Sequence, residues 1–371
     1  MIPDNITKES VLKAIDKINL EGVPKGREST KYNIRYMGKL YPPKYTISLA
    51  NIFVNGNELK AQDFSGGQET NNFLKKLGFV IDNYSDSYKK DDSQDEGKIE
   101  KEECINIATV TIQSPQLRQP SNKDRLSLLE NVIMQAGKYA DVILFPAGFY
   151  KEKRKPNYLY SEIEDSIKEC LIREGLDITV CLGVDGRDGK DQIGLAINRQ
   201  GIISIGRKFY PTDEEKNSID VAKNYLSTEN GYSRIFEIKG KKLYIAICYD
   251  GFGIRKQNLA NPQVDGILNL VHGFYPNGCG GSGEVYFAKY SFAGSSKQWK
   301  CPTFGTTTFF DRNIPDKWPT GVFWNQKDKS VQEWKYKDNI INASQQIEVS
   351  SKKEKAVIRV YSFNNSSFKI K

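Results

Sequence analysis

The sequence predicts an α/β protein in two parts, a small, mainly helical module over residues 1–80 and a larger layered domain over residues 104–371. Three observations lead there. Near the N-terminus apolar residues recur at helical spacing, whereas beyond residue 104 short apolar runs alternate with helical patterns, the order that stacks helices on sheets. Between them, residues 81–103 are crowded with charge and have no apolar period. Such a stretch reads as a solvated linker, and the domain boundary is expected in it.

Composition narrows the classes. At 371 residues the chain exceeds one ordinary domain. Hydrophobic residues at 38% and aromatics at 11%, with Tyr and Phe far outnumbering Met, suit a sheet-rich core and exclude a disordered chain. No run approaches the roughly 18 apolar residues of a membrane span. The start, Met-Ile-Pro-Asp-Asn, lacks the regions of a secretory signal, so a cytoplasmic protein with no membrane partner is expected. Six cysteines lie far apart with no CxxC pair, and His272 is the only histidine. Neither a disulfide framework nor a usual zinc site follows, and no metal or other cofactor is expected. The net charge of +8 is uneven: residues 1–80 hold 12 Lys/Arg against 8 Asp/Glu, and residues 81–103 hold 4 against 9. A polyanion partner is permitted at the N-terminal part.

In that part, Thr7 with Ser10 and the apolar set Val11, Leu12, Ile15 and Ile18 predict a capped helix of about three turns. A second helix is expected over 45–53. The intervening VPKGRESTKYNIRYMGKLYPPK, rich in Gly, Pro and Tyr, fits an irregular or hairpin connection, and FSGGQETNNFLKKLGF gives a glycine turn and a third helix. The strings ITKESVLKAI, GVPKGRESTKY, GKLYPPKYTISLA and FSGGQETNNFLKKLGF resemble the N-terminal head domain of McrA-type methylation-dependent restriction endonucleases, over residues 6–79. The resemblance implies a module found at the front of DNA-directed bacterial defence proteins, with DNA as a partner through the head. Lys25, Arg27, Lys31, Arg35, Lys39 and Lys44 are interleaved with Tyr32, Tyr36, Tyr41 and Tyr45. They read either as cations for phosphates with rings for bases, or as a solvated basic face whose tyrosines pack on Pro42 and Pro43.

After the linker come INIATVTI, a helical pattern over 124–137, DVILFP, a second helical pattern over 160–174, and ITVCLGV. QIGLAINRQGIISIGRKFYP then reads as a hairpin turning at residues 198–201, followed by SRIFEIKGKKLYIAICYD and VDGILNLVHGF. These near-continuous apolar strands are those of sheets covered on both faces. Several stop at residues with chemical capacity: DVILFP at Pro146 and Ala147, KKLYIAICYD at Cys248, GILNLVHGF at His272, and GIISIGRKFYP at Lys208. Ligands collect at the carboxyl ends of strands in open α/β sheets.

This set resembles the nitrilase, or carbon–nitrogen hydrolase, superfamily over residues 104–325. AICYD supplies Cys248 where that family carries its nucleophile, and GRKFYP supplies Lys208 where it carries its lysine. The resemblance implies a four-layer α-β-β-α sandwich, a small amide-type substrate, and a homodimer formed through this domain. One position departs. Where the family has its general-base glutamate after Pro146, this chain has Ala147. A thiol of ordinary pKa, about 8.5, is only a few per cent ionised at neutral pH, and a missing base removes help of about 10²–10⁴-fold. His272 is the substitute the sequence offers, with Glu152 and Glu284 behind it. The roles expected are Cys248 as nucleophile, His272 as base, and Lys208 with the Tyr249 N–H around the oxyanion, Ala147 and Glu284 lining the pocket.

Other motifs say less. NGCGGSGE, residues 277–284, lacks the Lys-Ser/Thr ending of a phosphate loop and reads as a flap over the pocket. Glu237 and Lys239 echo nuclease strands but have no upstream aspartate, and Asp250 reads as a cap for the following turn. Two functions stay open. One is a thiol-dependent hydrolase of amide-type carbon–nitrogen bonds, fused to a DNA-associated head and serving anti-phage defence or restriction. The other is a catalytically inactive relative that senses a small ligand or modified nucleobase while the head contacts nucleic acid. A single histidine cannot furnish the HNH centre of a restriction nuclease, which ranks last.

Overall fold

The computed structural model describes residues 2–29, 31–36, 39–60, 62–83, 104–115, 120–276, 283–326, 328–335 and 341–363. The chain divides into two compact units, Met1–Ile99 and Glu100–Lys371. Beyond residue 83 the expected linker lies outside the described residues, as does the expected flap except for its last two positions.

In the first unit, helix α1 (Lys8–Glu21) begins with the expected reciprocal cap. The Ser10 N–H donates to the Thr7 hydroxyl at 3.3 Å, and the Thr7 N–H donates to the Ser10 hydroxyl at 3.0 Å. The connection after it is a hairpin of β1 (Tyr32–Tyr36) and β2 (Lys39–Tyr41). The single helix expected over 45–53 is two, α2 (Pro43–Ala50) and α3 (Ile52–Asn55). Pro43 sits at the start of α2, where its missing N–H costs nothing. Asn51 divides the pair, its side-chain amide donating to the Asn57 carbonyl at 2.8 Å and its side-chain oxygen accepting from Asn55 at 2.7 Å. After α4 (Gln68–Lys76), strand β3 (Val80–Asn83) pairs antiparallel with β1. Residues 81–83 are therefore strand, a correction to the expected linker start; a three-residue apolar run was too short to show it. Ile15, Ile34, Ile47 and Leu74 from four elements meet in one buried cluster.

The second unit runs through β4 (Ile105–Ser114), α5 (Asn122–Ala136), β5 (Val142–Leu144), β6 (Tyr150–Lys151), α6 (Asn157–Arg173), β7 (Thr179–Gly186), β8 (Asp191–Asn198) and β9 (Gly201–Arg207). It continues with β10 (Ile235–Ile238), β11 (Lys241–Ile247), α7 (Asp250–Lys256), β12 (Gly266–Phe274) and α8 (Glu284–Phe287). A π-helical turn, Ala288–Ala293, leads into α9 (Gly294–Trp299). Last come β13 (Thr303–Phe310), β14 (Gly321–Val322), β15 (Gln345–Ser350) and β16 (Lys355–Phe363). The strands form one folded sheet in the order β10-β11-β12-β13-β4-β5-β7-β8-β9. β4 pairs β16 antiparallel from end to end and divides its parallel pairing between β5 and β13.

Alternation along the strands makes the layers. Val180, Leu182, Ile193 and Leu195 pack with Leu129, Val132, Ile163 and Ile167 of α5 and α6. Cys181 and Ala196, pointing the other way, share a cluster with Ile245, Ile247, Leu268 and Leu270 of the far half-sheet. Tyr244 and Ala246 turn to Ile254 and Trp299 of α7 and α9. The result is helix, sheet, sheet, helix. A Cβ added at Gly194 would lie 2.6 Å from Ile245, which shows how closely the half-sheets approach. Glu237 faces Lys242 across the β10–β11 hairpin and Lys239 occupies its turn, ion-paired to Asp141 at 2.9 Å, so the two form no nuclease-like pair.

Candidate active site

β4, β5 and β7 run parallel, as do β11, β12, β13 and β4, and β9 runs with β7 because both are antiparallel to β8. Their carboxyl ends carry Ala147 and Gly148 after β5, Asp185 in β7, Lys208 after β9, Cys248 after β11 and His272 in β12.

Cys248 occupies a sharp strand-to-helix turn. Its φ is +50°, a left-handed conformation that a non-glycine residue adopts only when its surroundings enforce it. Those surroundings are specific. The Cys248 N–H donates to the Leu270 carbonyl at 2.7 Å. Asp250, fully buried, accepts the Ile247 N–H at 3.0 Å and the N–H groups of Phe209 and Tyr210 at 2.9 Å each, and pairs with buried Arg234 at 3.3 Å. One carboxylate thus fastens the cysteine turn to the loop bearing Lys208. The helix-capping role expected of Asp250 is corrected: the N-terminus of α7 has no side-chain cap, and this carboxylate reaches back to the strand and across to the lysine loop.

Lys208 has no solvent exposure and donates to Gln192 at 2.9 Å and Glu215 at 2.6 Å. Burial alone would raise the Glu215 carboxyl, but Lys208 and hydrogen bonds from Thr212 and Gln192 bring it down to about 2. Its charge stands against the buried ammonium, so the pair is matched out of solvent.

His272 lies two residues beyond the Leu270 that accepts the Cys248 N–H, and its Nε2 meets the Asp185 carboxylate at 3.2 Å. Its side chain is 27% exposed. Burial lowers the imidazole, yet the charge and hydrogen bond of Asp185, with those of the Cys248 sulfur, push it up to about 10. Burial raises the thiol, but the Lys208 charge and hydrogen bonds from the His272 ring and main chain outweigh it, leaving the thiol below its ordinary range. Sulfur, imidazole and carboxylate are thus coupled, the thiol shifted toward its ionised form and the imidazole toward its protonated one.

Gly148 makes the line possible. A Cβ there would stand 2.6 Å from Asp185 and 3.1 Å from His272, and its φ is +59°. Ala147 is buried in the same cluster as Cys248. Sequence reasoning missed Asp185 and Glu215. Glu284 is held by Arg312, at 3.0 and 3.2 Å, and Glu152 by Arg154 at 3.0 Å. No three His, Cys, Asp or Glu side chains gather as a metal cage among the described residues.

Burial moves Cys170, Cys181 and Cys301 above the ordinary thiol range, opposite to Cys248. Iodoacetamide is therefore expected to label Cys248 ahead of these three at pH 6. Its rate should reach a plateau at lower pH than that of an ordinary thiol, which gains about tenfold per pH unit below its pKa. A rate that climbs in that ordinary way would contradict the ion pair, and peptide mapping with a pH series reads both.

In the first unit, Tyr41 and Tyr45 are buried, and the Tyr41 hydroxyl donates to Asn19 at 2.9 Å, so neither ring is presented for base stacking. Arg27 pairs with Glu58 and lies 5.4 Å from the Tyr45 ring centre; Lys31 stands at the same distance over Tyr32 and Lys44 over Phe64. Lys25 is exposed, and the side chains of Arg35 and Lys39 lie outside the described residues. No described helix is long and apolar enough to cross a membrane.

Residues 4–83 match the family described as ScoMcrA-like, N-terminal head domain. Solved amidases of the nitrilase superfamily are among the structures to which this chain is similar. One is the amidase from Nesterenkonia sp. AN1 with acrylamide added at its active-site cysteine: TM-score 0.40, 12% identity, covering 55% of this chain and 78% of that one. A double mutant of the same amidase in complex with acrylamide gives TM-score 0.46 and 10% identity over 73% of this chain and 95% of that one. No curated protein matches.

Proposed function

We propose that the second unit is a thiol-dependent hydrolase of amide-type carbon–nitrogen bonds in which Asp185 and His272 replace the missing glutamate. The observation that carries this is the 3.2 Å contact of Asp185 with an imidazole that hydrogen-bonds the Cys248 sulfur. The thiolate attacks the amide carbon, forming the C–S bond and moving the carbonyl π electrons onto oxygen. Lys208, with one of its three N–H donors left after Gln192 and Glu215, and the Tyr249 N–H steady that oxygen. As the C–N bond breaks, the imidazolium protonates the leaving nitrogen. Neutral His272 then takes a proton from water, whose oxygen displaces the sulfur, and the acid leaves with thiolate and imidazolium restored.

The head supports a place beside DNA, in defence or restriction, through Lys25, Lys31 and Lys44 rather than through Tyr41 and Tyr45. A competing reading is favoured by Ala147: an inactive pocket that senses an amide-like ligand. One experiment separates them. Wild-type protein incubated with a panel of aliphatic amides should release ammonia and carry a transient acyl adduct on Cys248 by intact-mass spectrometry, both lost in Cys248→Ala. Ligand-induced thermal stabilisation that survives Cys248→Ala, without turnover in the wild type, would establish the sensor instead.

A further inference from the structure

Two aromatic rings stand at the carboxyl ends of β12 and β13. Tyr275 follows β12, three residues beyond His272, and Phe310 closes β13 beside it. In the parallel register of the two strands Phe274 pairs with Phe309, which brings the next residues together. Their rings stack with centres 5.0 Å apart and planes at 17°. Gly273 leaves room for this pair, because a Cβ there would lie 2.4 Å from the Phe310 ring and 2.9 Å from the Thr308 carbonyl oxygen. The two rings differ in cover: Phe310 is 6% exposed and Tyr275 39%, so the stack ends in an open ring.

That ring is braced through its backbone. Arg312 donates from Nη1 to the Tyr275 carbonyl at 3.4 Å and is itself held by both oxygens of Glu284, at 3.0 and 3.2 Å. It also lies within the field of the reacting groups. Burial raises the Tyr275 phenol, and the charges of Asp185 and of the Cys248 sulfur raise it further. The phenol is therefore neutral at neutral pH, and the side chain offers a ring rather than an anion. A lone exposed tyrosine on open surface needs no explanation. This one is stacked on a second ring, fixed by an arginine and within electrostatic reach of thiol and carboxylate, which is how a binding wall is built.

We propose that Tyr275 selects the leaving group: the ring surface that Phe310 leaves uncovered stacks on a planar aromatic or heteroaromatic ring borne on the scissile nitrogen, so the preferred substrates are amides of aromatic amines. The side is set by His272. It gives its proton to the leaving nitrogen and shares a strand end with Tyr275, so a group on that nitrogen is the part of the substrate turned toward the ring. The proposal rests on Cys248 as nucleophile and His272 as proton donor, and names the substrate class of that site. The C–S bond forms, the C–N bond breaks, and the arylamine leaves with the proton of the imidazolium.

Alkylating amides test this without the natural substrate. The N-phenyl and N-cyclohexyl derivatives of iodoacetamide carry a flat and a puckered ring on the nitrogen that stands for the leaving group. Full-length protein is treated with each and with iodoacetamide itself, Cys248 labelling is followed by peptide mapping, and every rate is divided by that reagent's rate with glutathione. The phenyl reagent should label Cys248 about fivefold faster than the cyclohexyl one, the scale of a single aromatic contact. The preference should vanish in Tyr275→Leu and persist in Tyr275→Phe, which keeps the ring without the hydroxyl. A preference that Tyr275→Leu keeps, or that Tyr275→Phe loses, would overturn stacking on this ring. So would a phenyl reagent no faster than the cyclohexyl one on wild-type Cys248, a comparison that stands even if Tyr275→Leu fails to fold. Failure of iodoacetamide itself to label Cys248 would overturn the nucleophile, and the selection with it.

Discussion

Asp185→Asn is expected to lower turnover by about 10²–10⁴, the usual worth of a positioned acid–base group, while the protein folds as before. An amide keeps the size of the carboxylate but carries no charge, so it cannot hold the imidazolium that Asp185 pushes up to about 10. The signs run together. A histidine raised in the fold stabilises it fully below its unfolded pKa and loses that contribution as pH climbs through about 10. A thiol lowered in the fold does the opposite, contributing above its unfolded value and losing it as pH falls through the folded one. The ion pair is favoured between the lowered folded value of the thiol and the value of about 10 to which the imidazole is raised. Asp185→Asn should therefore move the pH profile of Cys248 alkylation toward that of an ordinary thiol. A purely structural aspartate would change the melting temperature and leave the profile in place, and that outcome would remove Asp185 from the mechanism.

Asp250→Ala should have the largest effect on stability, about 3–5 kcal/mol, because it strands buried Arg234 without its partner. It also leaves three main-chain N–H groups, those of Ile247, Phe209 and Tyr210, without the acceptor they have in the fold. Urea unfolding measures the cost. An effect below about 1 kcal/mol would show that the cysteine turn holds its left-handed conformation without this carboxylate.

Much of this arrangement is written locally in the chain. AICYD and GRKFYP each place a reactive side chain where an apolar strand stops, and the single histidine follows the same rule in GILNLVHGF. Asp185 obeys it too, at the end of ITVCLGVD, but an aspartate after a strand is so often a turn former that nothing distinguished it. Only the folding of the sheet, which brings β7 against β12, gives that carboxylate its imidazole. Glu215 was hidden for a similar reason. It lies seven residues beyond Lys208 in a loop without periodicity, and its role depends on a through-space pair. In the head, the alternation of lysine and tyrosine could not tell which rings fold inward, because that depends on how Tyr41 and Tyr45 meet α1.

The pairing of β4 with β16 makes the sheet of the second unit close late during synthesis. The two strands join Cys104 to Phe363, positions 259 apart, so the strand that bridges both half-sheets lacks a neighbour until almost the whole second unit has left the ribosome. Contacts of such long range are slow to form and leave strand edges bare meanwhile. Every site group, from Asp185 to His272, is thus made before the strand that completes the sheet around them.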